Sequence, residues 1–255
     1  MLEIQNLYCG YTEGNDILKG ICLYLEAGEI LCLVGPNGCG KSTLLKAAAR
    51  LLPFRGSVKI LGKESGSCSR KELARRIAFL GQSSTLFFPY TVYETAAMGR
   101  YAYGRTFFGG LSRTDRDIID DVLDTLELSC VRDSLISELS GGQLQRVFLA
   151  RTIIQNPDII LLDEPTNHLD MKHQIGLLEY LGRWTAKENK AAIAVLHDLN
   201  MALHFGKRAV LMCGGILAAQ GPVENVFTGD ALEKAYSMDI RGFMTESLEK
   251  WKKGV

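Results

Sequence analysis

The chain has 255 residues and a mass of 28.1 kDa, enough for one large domain or a core that carries a sizeable insertion. Lys and Arg together number 29, as do Asp and Glu, and this balance argues against a nucleic-acid-binding surface or a polybasic membrane patch, although it allows a local basic groove. Seven cysteines without a C-x-x-C pair predict reduced thiols in a cytosolic protein rather than disulfides or a zinc site. No run approaches the roughly 18 apolar residues of a spanning helix, so we expect a soluble chain that meets a membrane only through another subunit.

The first thirty residues alternate apolar and polar positions, with Gly10, Gly14 and Gly20 as breaks. This pattern is typical of short antiparallel strands. The nearly continuous apolar run EILCLVG then predicts a fully buried strand. After the next glycines, the alanine-rich KSTLLKAAARLL predicts a helix. A strand, a glycine-rich loop and a helix therefore follow one another early in the chain.

Further along, SVKILG and RIAFLGQ predict two more strands, the second ending at Gln82. From Ser83 the spacing is helical, and we interpret about seventy residues as a helical insertion. Two buried parallel strands, DIILLD and AAIAVLH, then enclose a helix, and Gly214 and Gly215 mark a hairpin before a short helical end. The chain is predicted to be a single α/β domain with a mixed-sheet core at 1–82 and 155–235, a helical subdomain at 83–154 and a tail at 236–255.

The stretch GPNGCGKST is a phosphate-binding loop by pattern. Gly35, Gly38 and Gly40 let the backbone bend so that successive amides point at a polyphosphate. Lys41 supplies positive charge for the terminal oxygens, and Ser42 can offer its hydroxyl to the Mg²⁺ that bridges two phosphates. A chance match is the alternative, but the position between a buried strand and a helix argues against it.

Acidic and basic side chains follow two later strands. Asp163 and Glu164 end one of them, and His197 ends the next, at the sheet edge where open α/β sheets bind ligands. We predict that Asp163 holds Mg²⁺ together with Ser42, and that Glu164 is the general base that orients and deprotonates water. His197 is predicted to touch the terminal phosphate and to hold the base. Solvated strand-end acids and a structural histidine are the alternatives.

Gln82 lies where the sheet gives way to the helical insertion. Glutamine cannot act as a base, but at a hinge it can coordinate Mg²⁺ or water, so we count it with the catalytic and metal-binding residues. An ordinary polar strand end is the alternative. His168, His173 and His204 show no metal-ligand spacing and are interpreted as surface or helix residues.

The segment LSGGQLQRVFLARTII begins with a helix cap rather than a catalytic group. Ser140 is the predicted cap, and Gly141 and Gly142 expose bare backbone N–H groups at the positive end of the helix dipole. Such a helix start suits an anion. The chain therefore contains a second predicted anion site about a hundred residues after the first.

In this order, the motifs resemble those of the ATP-binding-cassette ATPases over nearly the whole chain. The matching segments are the Walker A motif at 35–43, the Q-loop at Gln82, the signature LSGGQ at 139–143, the Walker B motif at 159–163 with Glu164 after it, the D-loop ending at Asp170 and the switch His197. The resemblance implies a P-loop NTPase (RecA-like) fold that hydrolyses ATP with Mg²⁺. The implied ATP-binding residues are Tyr11, Gly35, Pro36, Asn37, Gly38, Cys39, Gly40, Lys41, Ser42 and Thr43. Tyr11 among them is expected to stack on adenine.

The same resemblance implies a function for the second predicted anion site, at the start of the signature helix. It implies that two copies pair head to tail and that the signature of one copy completes the ATP site of the other. The residues expected to act across the pair are Ser140, Gly141, Gly142, Gln143 and Asp170. Cys39, where many relatives have serine or alanine, is expected to be alkylated and to be shielded by Mg-ATP if its thiol is reachable.

The segment from Phe87 to Phe108 holds eight of the 21 aromatic residues, which either pack the insertion or form an interface. The resemblance implies that this region docks a membrane permease at the cytoplasmic face of the membrane. A substrate-binding protein would be a partner only indirectly, through the permease. The chain looks like the ATPases of importers for iron-siderophore complexes, haem and vitamin B12. A soluble ABC protein, for example in iron–sulfur assembly, and an exporter subunit are the alternatives.

Overall fold

A computed structural model of the chain describes residues 1–12, 14–81, 89–104, 110–167, 169–187, 189–228 and 230–252. Gln82 lies outside these ranges, as does part of the segment from Phe87 to Phe108. The strands are β1 (Leu2–Cys9), β2 (Leu18–Leu25), β3 (Ile30–Val34), β4 (Arg55–Ile60), β5 (Lys63–Glu64), β6 (Ile77–Leu80), β7 (Ile159–Leu162), β8 (Ala191–Val195), β9 (Arg208–Cys213) and β10 (Ile216–Pro222). The helices are α1 (Lys41–Ala48), α2 (Arg70–Arg76), α3 (Val92–Ala97), α4 (Arg113–Thr125), α5 (Gly141–Ile154), α6 (Met171–Thr185), α7 (Leu199–Phe205), α8 (Val223–Thr228), α9 (Asp230–Tyr236) and α10 (Ile240–Lys252).

The strands form two sheets, which confirms the predicted mixed-sheet core with an N-terminal antiparallel part. One sheet has the order β2-β1-β4-β5 and its pairs are antiparallel. The other has the order β10-β9-β3-β8-β7-β6, with parallel pairs from β9 to β6 and the antiparallel hairpin β9-β10 at one edge. Because β3 lies between β8 and β9, both of its edges are hydrogen-bonded inside the sheet.

Alternate side chains of β3 enter two different cores, as the pleat of a strand requires. Leu31 and Leu33 pack between the two sheets, whereas Cys32 and Val34 pack against the helices on the opposite face. All five residues of β3 are buried. The uninterrupted apolar run of this strand therefore reflects burial on both faces, and it fixes the start of the following loop.

Helical structure dominates the predicted insertion in the described part of 83–154. It contains α3, a 3₁₀ turn at Met98–Tyr103, α4 and α5. Gly99 lets the turn approach α5 closely, because a Cβ there would lie 2.4 Å from the carbonyl oxygen of Arg151. Arg100 then pairs with Asp115 at 2.7 Å and donates to the carbonyl of Ile154 at 3.1 Å. The turn, α4 and α5 are thus bound together, while the subdomain boundaries remain a prediction.

The C-terminal part begins with the predicted hairpin. Gly214 and Gly215 have positive φ angles of 57° and 84°, which suits the tight turn between β9 and β10. Helices α8, α9 and α10 follow within the described residues. None of the helices in the described ranges combines the length and apolarity of a membrane span, and α6, at 15 residues, is the longest of them.

Candidate active site

A cavity of about 620 Å³ lies at the carboxyl ends of β3, β7 and β8. Parallel strands β3 and β7 each pair with β8, so residues that follow these strands meet at one edge of the sheet. The lining residues are Tyr11, Ile17, Asn37, Gly38, Gly40, Lys41, Ser42, Thr43, Glu164, Asn167 and His197. The structure therefore brings the predicted phosphate loop, Glu164 and His197 to one site, and it adds Asn167.

The loop after β3 is held in place by its own backbone and by Lys41. Gly35 has a φ of +143°, and a Cβ there would lie 2.2 Å from the carbonyl oxygen of Met212, so only glycine fits. Lys41 is 5 % exposed, and its Nζ donates to the carbonyls of Gly35 at 2.7 Å and Pro36 at 2.9 Å. The ammonium charge is therefore fixed inside the loop before any phosphate arrives.

Ser42 and Asp163 meet below this loop. The Ser42 hydroxyl donates to Asp163 Oδ1 at 3.0 Å, and Asp163 is only 1 % exposed. Burial raises the pKa of Asp163; the Ser42 hydrogen bond opposes this effect, and the neighbouring charge of Glu164 adds to it. A hydroxyl and a buried carboxylate are hard oxygen ligands of the kind Mg²⁺ prefers. The residues present thus fit the metal that the sequence predicted here.

Replacing this carboxylate should stabilise the nucleotide-free protein. The raised pKa means that the folded state disfavours the ionised carboxylate. The free energy of unfolding therefore falls as pH rises from the ordinary carboxyl pKa to the raised one. Above both pKa values, the ionised carboxylate destabilises the folded state by its full amount. Asp163→Asn removes the charge and can still accept from Ser42. We expect the Tm of this variant to lie above that of the wild type in thermal unfolding at about pH 8 without nucleotide.

The matched control is Asp121→Asn, an exposed carboxylate on α4. Its Tm should stay at the wild-type value. Metal-dependent hydrolysis should be lost in Asp163→Asn and kept in the control. A lower Tm for Asp163→Asn would contradict the inferred cost of burying this charge.

Glu164 is held by two neighbours at the other side of the cavity. Its Oε1 lies 2.7 Å from Nε2 of His197, and its Oε2 accepts from Nδ2 of Asn167 at 2.5 Å. The backbone of Glu164 has a φ of +56°, which costs about 1–3 kcal/mol for a non-glycine residue. The side chain is 11 % exposed. Both carboxylate oxygens are therefore oriented, and the strained backbone aims them into the cavity.

Sequence reasoning missed Asn167. It lies on the turn after Glu164, where its backbone N–H donates to the Glu164 carbonyl at 3.2 Å. The available signal was the stretch Pro165-Thr166-Asn167 after the strand, because proline and asparagine are both frequent in turns. That turn returns the Asn167 amide to the carboxylate.

The predicted second anion site lies apart from this cavity. Ser140 Oγ accepts from the Gln143 N–H at 3.3 Å, and Gln143 Oε1 accepts from the Ser140 N–H at 3.0 Å. This capping box leaves the amides of Gly141 and Gly142, the first two of α5, without an intrahelical acceptor. None of these residues lines the cavity in the described part of the chain, nor does Asp170, which caps α6.

Tyr11 and Cys39 differ in their access to the cavity. Tyr11 lines it, is 57 % exposed, and has Nζ of Lys46 at 5.8 Å from the centre of its ring. Cys39 is 5 % exposed and packs between the loop and the core. Burial raises the pKa of its thiol, an effect that the nearby Lys41 charge only partly offsets. The thiol is thus neither reachable nor ionised, so the condition for the expected alkylation is not met.

We expect Cys39 to be among the last thiols to react with a maleimide. Cys22 and Cys130 are exposed, and because the thiolate is the reacting form, Cys39 should label more slowly by about tenfold or more. Mass spectrometry after brief labelling at neutral pH measures the ratio, with labelling in urea as the control that all sites can react. Equal labelling of Cys39 and Cys130 in the native protein would contradict the burial.

Comparison with known proteins agrees with this arrangement. Residues 18–167 match the model of the ABC transporter family. The chain is 35 % identical over 241 residues to the petrobactin import ATP-binding protein of Bacillus subtilis, with 94 % of each chain covered. It is 39 % identical over 232 residues to a hemin import ATP-binding protein of Bradyrhizobium diazoefficiens, covering 88 % of this chain and 84 % of the relative.

Two solved structures illustrate the likeness in fold. One is a putative metal-chelate type ABC transporter in an inward-facing conformation, with a TM-score of 0.78 and 27 % identity over 92 % of this chain and 88 % of the other. The second is a dimeric ATP-binding cassette bound to ADP and Pi, with a TM-score of 0.77 and 29 % identity over 88 % and 99 %.

Proposed function

The chain belongs to the ABC transporter family and is an ATP-binding subunit that hydrolyses ATP, and from this premise we propose that it drives import of a metal chelate. The proposed cargo is an iron-siderophore, haem or cobalamin-type complex. The observation that carries the cargo class is the match over about nine-tenths of the chain to import subunits named for petrobactin, hemin and enterobactin. The alternatives, a soluble ABC protein or an exporter subunit, have no comparable support.

ATP is proposed to bind with its triphosphate in the loop 35–43 and its adenine against Tyr11. The loop amides and the fixed ammonium of Lys41 supply positive potential for the phosphate oxygens. Because Lys41 already donates to two carbonyls, the loop keeps its shape when empty and loses little conformational entropy on binding.

Mg²⁺ is proposed to bind at Ser42 and Asp163, with Gln82 as a further ligand. When bound, the ion neutralises charge that develops on the β- and γ-phosphates. The chain contributes two oxygen groups already in contact, and the raised pKa of Asp163 reflects a buried carboxylate for which a cation is the natural partner.

Glu164 is proposed as the general base. Its carboxylate would accept the proton of the attacking water while His197 and Asn167 keep it in position. His197 would also reach toward the terminal phosphate, since it is the more exposed member of the pair at 39 %. An oriented carboxylate is thus ready before water arrives.

The second half of the site is proposed to come from another copy. Ser140, Gly142 and Gln143 of that copy would cover the phosphates, and its Asp170 would reach the same interface. Two observations on the described part of the chain support this head-to-tail arrangement: the first amides of α5 have no intrahelical acceptor, and the start of α5 does not line the chain's own cavity. We further propose that the helical subdomain at 83–154 docks a permease through the region from Phe87 to Phe108, at the cytoplasmic face of the membrane.

Uptake in a deletion strain tests the proposed cargo. Cells that lack this chain should fail to accumulate iron supplied as a siderophore complex or as haem, and wild-type protein should restore uptake where Glu164→Gln does not. Purification of the native protein should recover a polytopic permease with it. Normal uptake of every metal chelate in the deletion strain would refute the proposal.

A further inference from the structure

A cluster of charged side chains joins the end of α4 to α5 and to the start of α6. Its centre is Glu127, which follows α4 and has a left-handed φ of 54°. Glu127 Oε1 lies 3.3 Å from Lys172 Nζ, and its Oε2 lies 3.6 Å from His173 Nε2 and 3.7 Å from a guanidinium nitrogen of Arg146. Three segments of the chain therefore meet at one carboxylate.

His173 links this carboxylate to a second one. Its Nδ1 lies 2.8 Å from Asp170 Oδ1, while its Nε2 faces Glu127. With 26 % of its side chain exposed, His173 is more covered than either carboxylate. The ring of His173 therefore lies between the two acids as a bridge, with one nitrogen facing each of them.

The bridge fixes one oxygen of Asp170 and leaves the other available. Oδ1 accepts from the backbone N–H of His173 at 3.0 Å and also contacts the ring. Oδ2 makes no hydrogen bond within the described part of the chain, and the side chain is 67 % exposed. The bonds from His173 hold the pKa of Asp170 below its usual range. Asp170 thus presents an ionised, oriented oxygen outward.

At the opposite end of the bridge, Glu127 faces α5, the helix that Ser140 caps. Arg146 lies on α5, is 15 % exposed, and donates to the Leu126 carbonyl at 2.8 Å while facing Glu127. The position of α5 is therefore tied to the same carboxylate that holds His173. Asp170 and the capped start of α5 are the two elements proposed to act on the other copy's ATP.

We propose that His173 is a positioning residue which, through Glu127, fixes Asp170 and the Ser140 end of α5 relative to each other. The two elements would then reach the second copy's ATP site as one unit rather than independently. This inference rests on the proposed head-to-tail dimer. It predicts that substitutions which break the contacts of His173 with Asp170 or Glu127 slow ATP turnover. The same substitutions should not weaken the binding of ATP to the phosphate loop of the substituted chain.

Two substitutions at His173 separate the two ends of the bridge. His173→Asn keeps an amide near the position of Nδ1, beside Asp170, but cannot reach Glu127; His173→Gln reaches toward Glu127 but loses the Asp170 contact. Each, like Glu127→Gln, should lower kcat of the full chain by about three- to tenfold and leave KM for ATP within twofold. The matched control is Asp120→Asn on α4, which removes one charge from the exposed pair of Asp120 with Arg132 and should keep wild-type kcat.

The double variant Glu127→Gln/His173→Asn should be no slower than the slower single variant, because both changes break one bridge. Wild-type kcat in His173→Asn and Glu127→Gln, or effects that multiply in the double variant, would overturn the inference. If a His173 variant misfolds, the kcat of Glu127→Gln tests the inference instead, because Glu127 is exposed and its substitution leaves the core unchanged. Failure of Glu164→Gln to dimerise with ATP would reject the dimer itself, whereas normal dimerisation with unaffected His173 and Glu127 variants would reject only the bridge.

Discussion

The Glu164→Gln variant should bind ATP as the wild type does and lose hydrolysis by about 10²- to 10⁴-fold, the usual contribution of a general base. Glutamine has nearly the same shape, so the contacts with His197 and Asn167 can persist. Only the ability to accept a proton is removed. Because ATP then stays intact, the variant should accumulate as an ATP-bound dimer, which light scattering after gel filtration with Mg-ATP measures.

The control for this experiment is Asp198→Asn. Asp198 caps α7 next to His197 but does not line the cavity, and asparagine caps a helix equally well. This variant should hydrolyse ATP at the wild-type rate and should not accumulate as a dimer. Rapid hydrolysis by Glu164→Gln would show that another group takes the proton.

The sequence was sufficient to predict that the phosphate loop, Glu164 and His197 lie together, because their proximity follows from local patterns and sheet geometry. Buried apolar runs identified β3, β7 and β8, and the carboxyl ends of parallel strands meet at one edge whatever lies between them in the sequence. This placed the loop of Lys41, the acid Glu164 and the imidazole of His197 together. The structure confirms that they line one cavity, and their catalytic roles remain proposals.

Details that depend on side-chain direction could not be predicted in the same way. Cys39 sits in a predicted binding loop, yet its thiol is buried in the core that includes Leu44 and Leu45. The direction of a loop side chain follows from individual backbone angles, which no sequence periodicity encodes. The sequence predicts only a surface or helix position for His173. Its contact with Glu127 depends on where the residues after α4 lie relative to the start of α6. No local periodicity predicts a contact between residues so far apart in the chain.

Mixing two inactive variants should restore ATP hydrolysis if the signature acts on the other copy. Lys41→Ala removes the charge fixed in the phosphate loop, and Gly142→Asp places a carboxylate at the anion-binding start of α5. Asp is favourable in the first turn of a helix, so the second change should repel phosphate without unfolding α5. Each variant alone should be inactive, since both sites of its dimer carry the defect.

In a mixed dimer, one site would combine the intact loop of one copy with the intact signature of the other. Half of the dimers are mixed at equal concentrations, and each has one intact site of two, so about a quarter of the wild-type rate is expected. Lys41→Ala mixed with Glu164→Gln is the matched control, because these two defects lie in the same half of the site and cannot complement. Recovery in the first mixture but not in the second requires Gly142 and Lys41 to belong to different halves of one site. If neither mixture recovers, the start of α5 does not serve the partner's ATP.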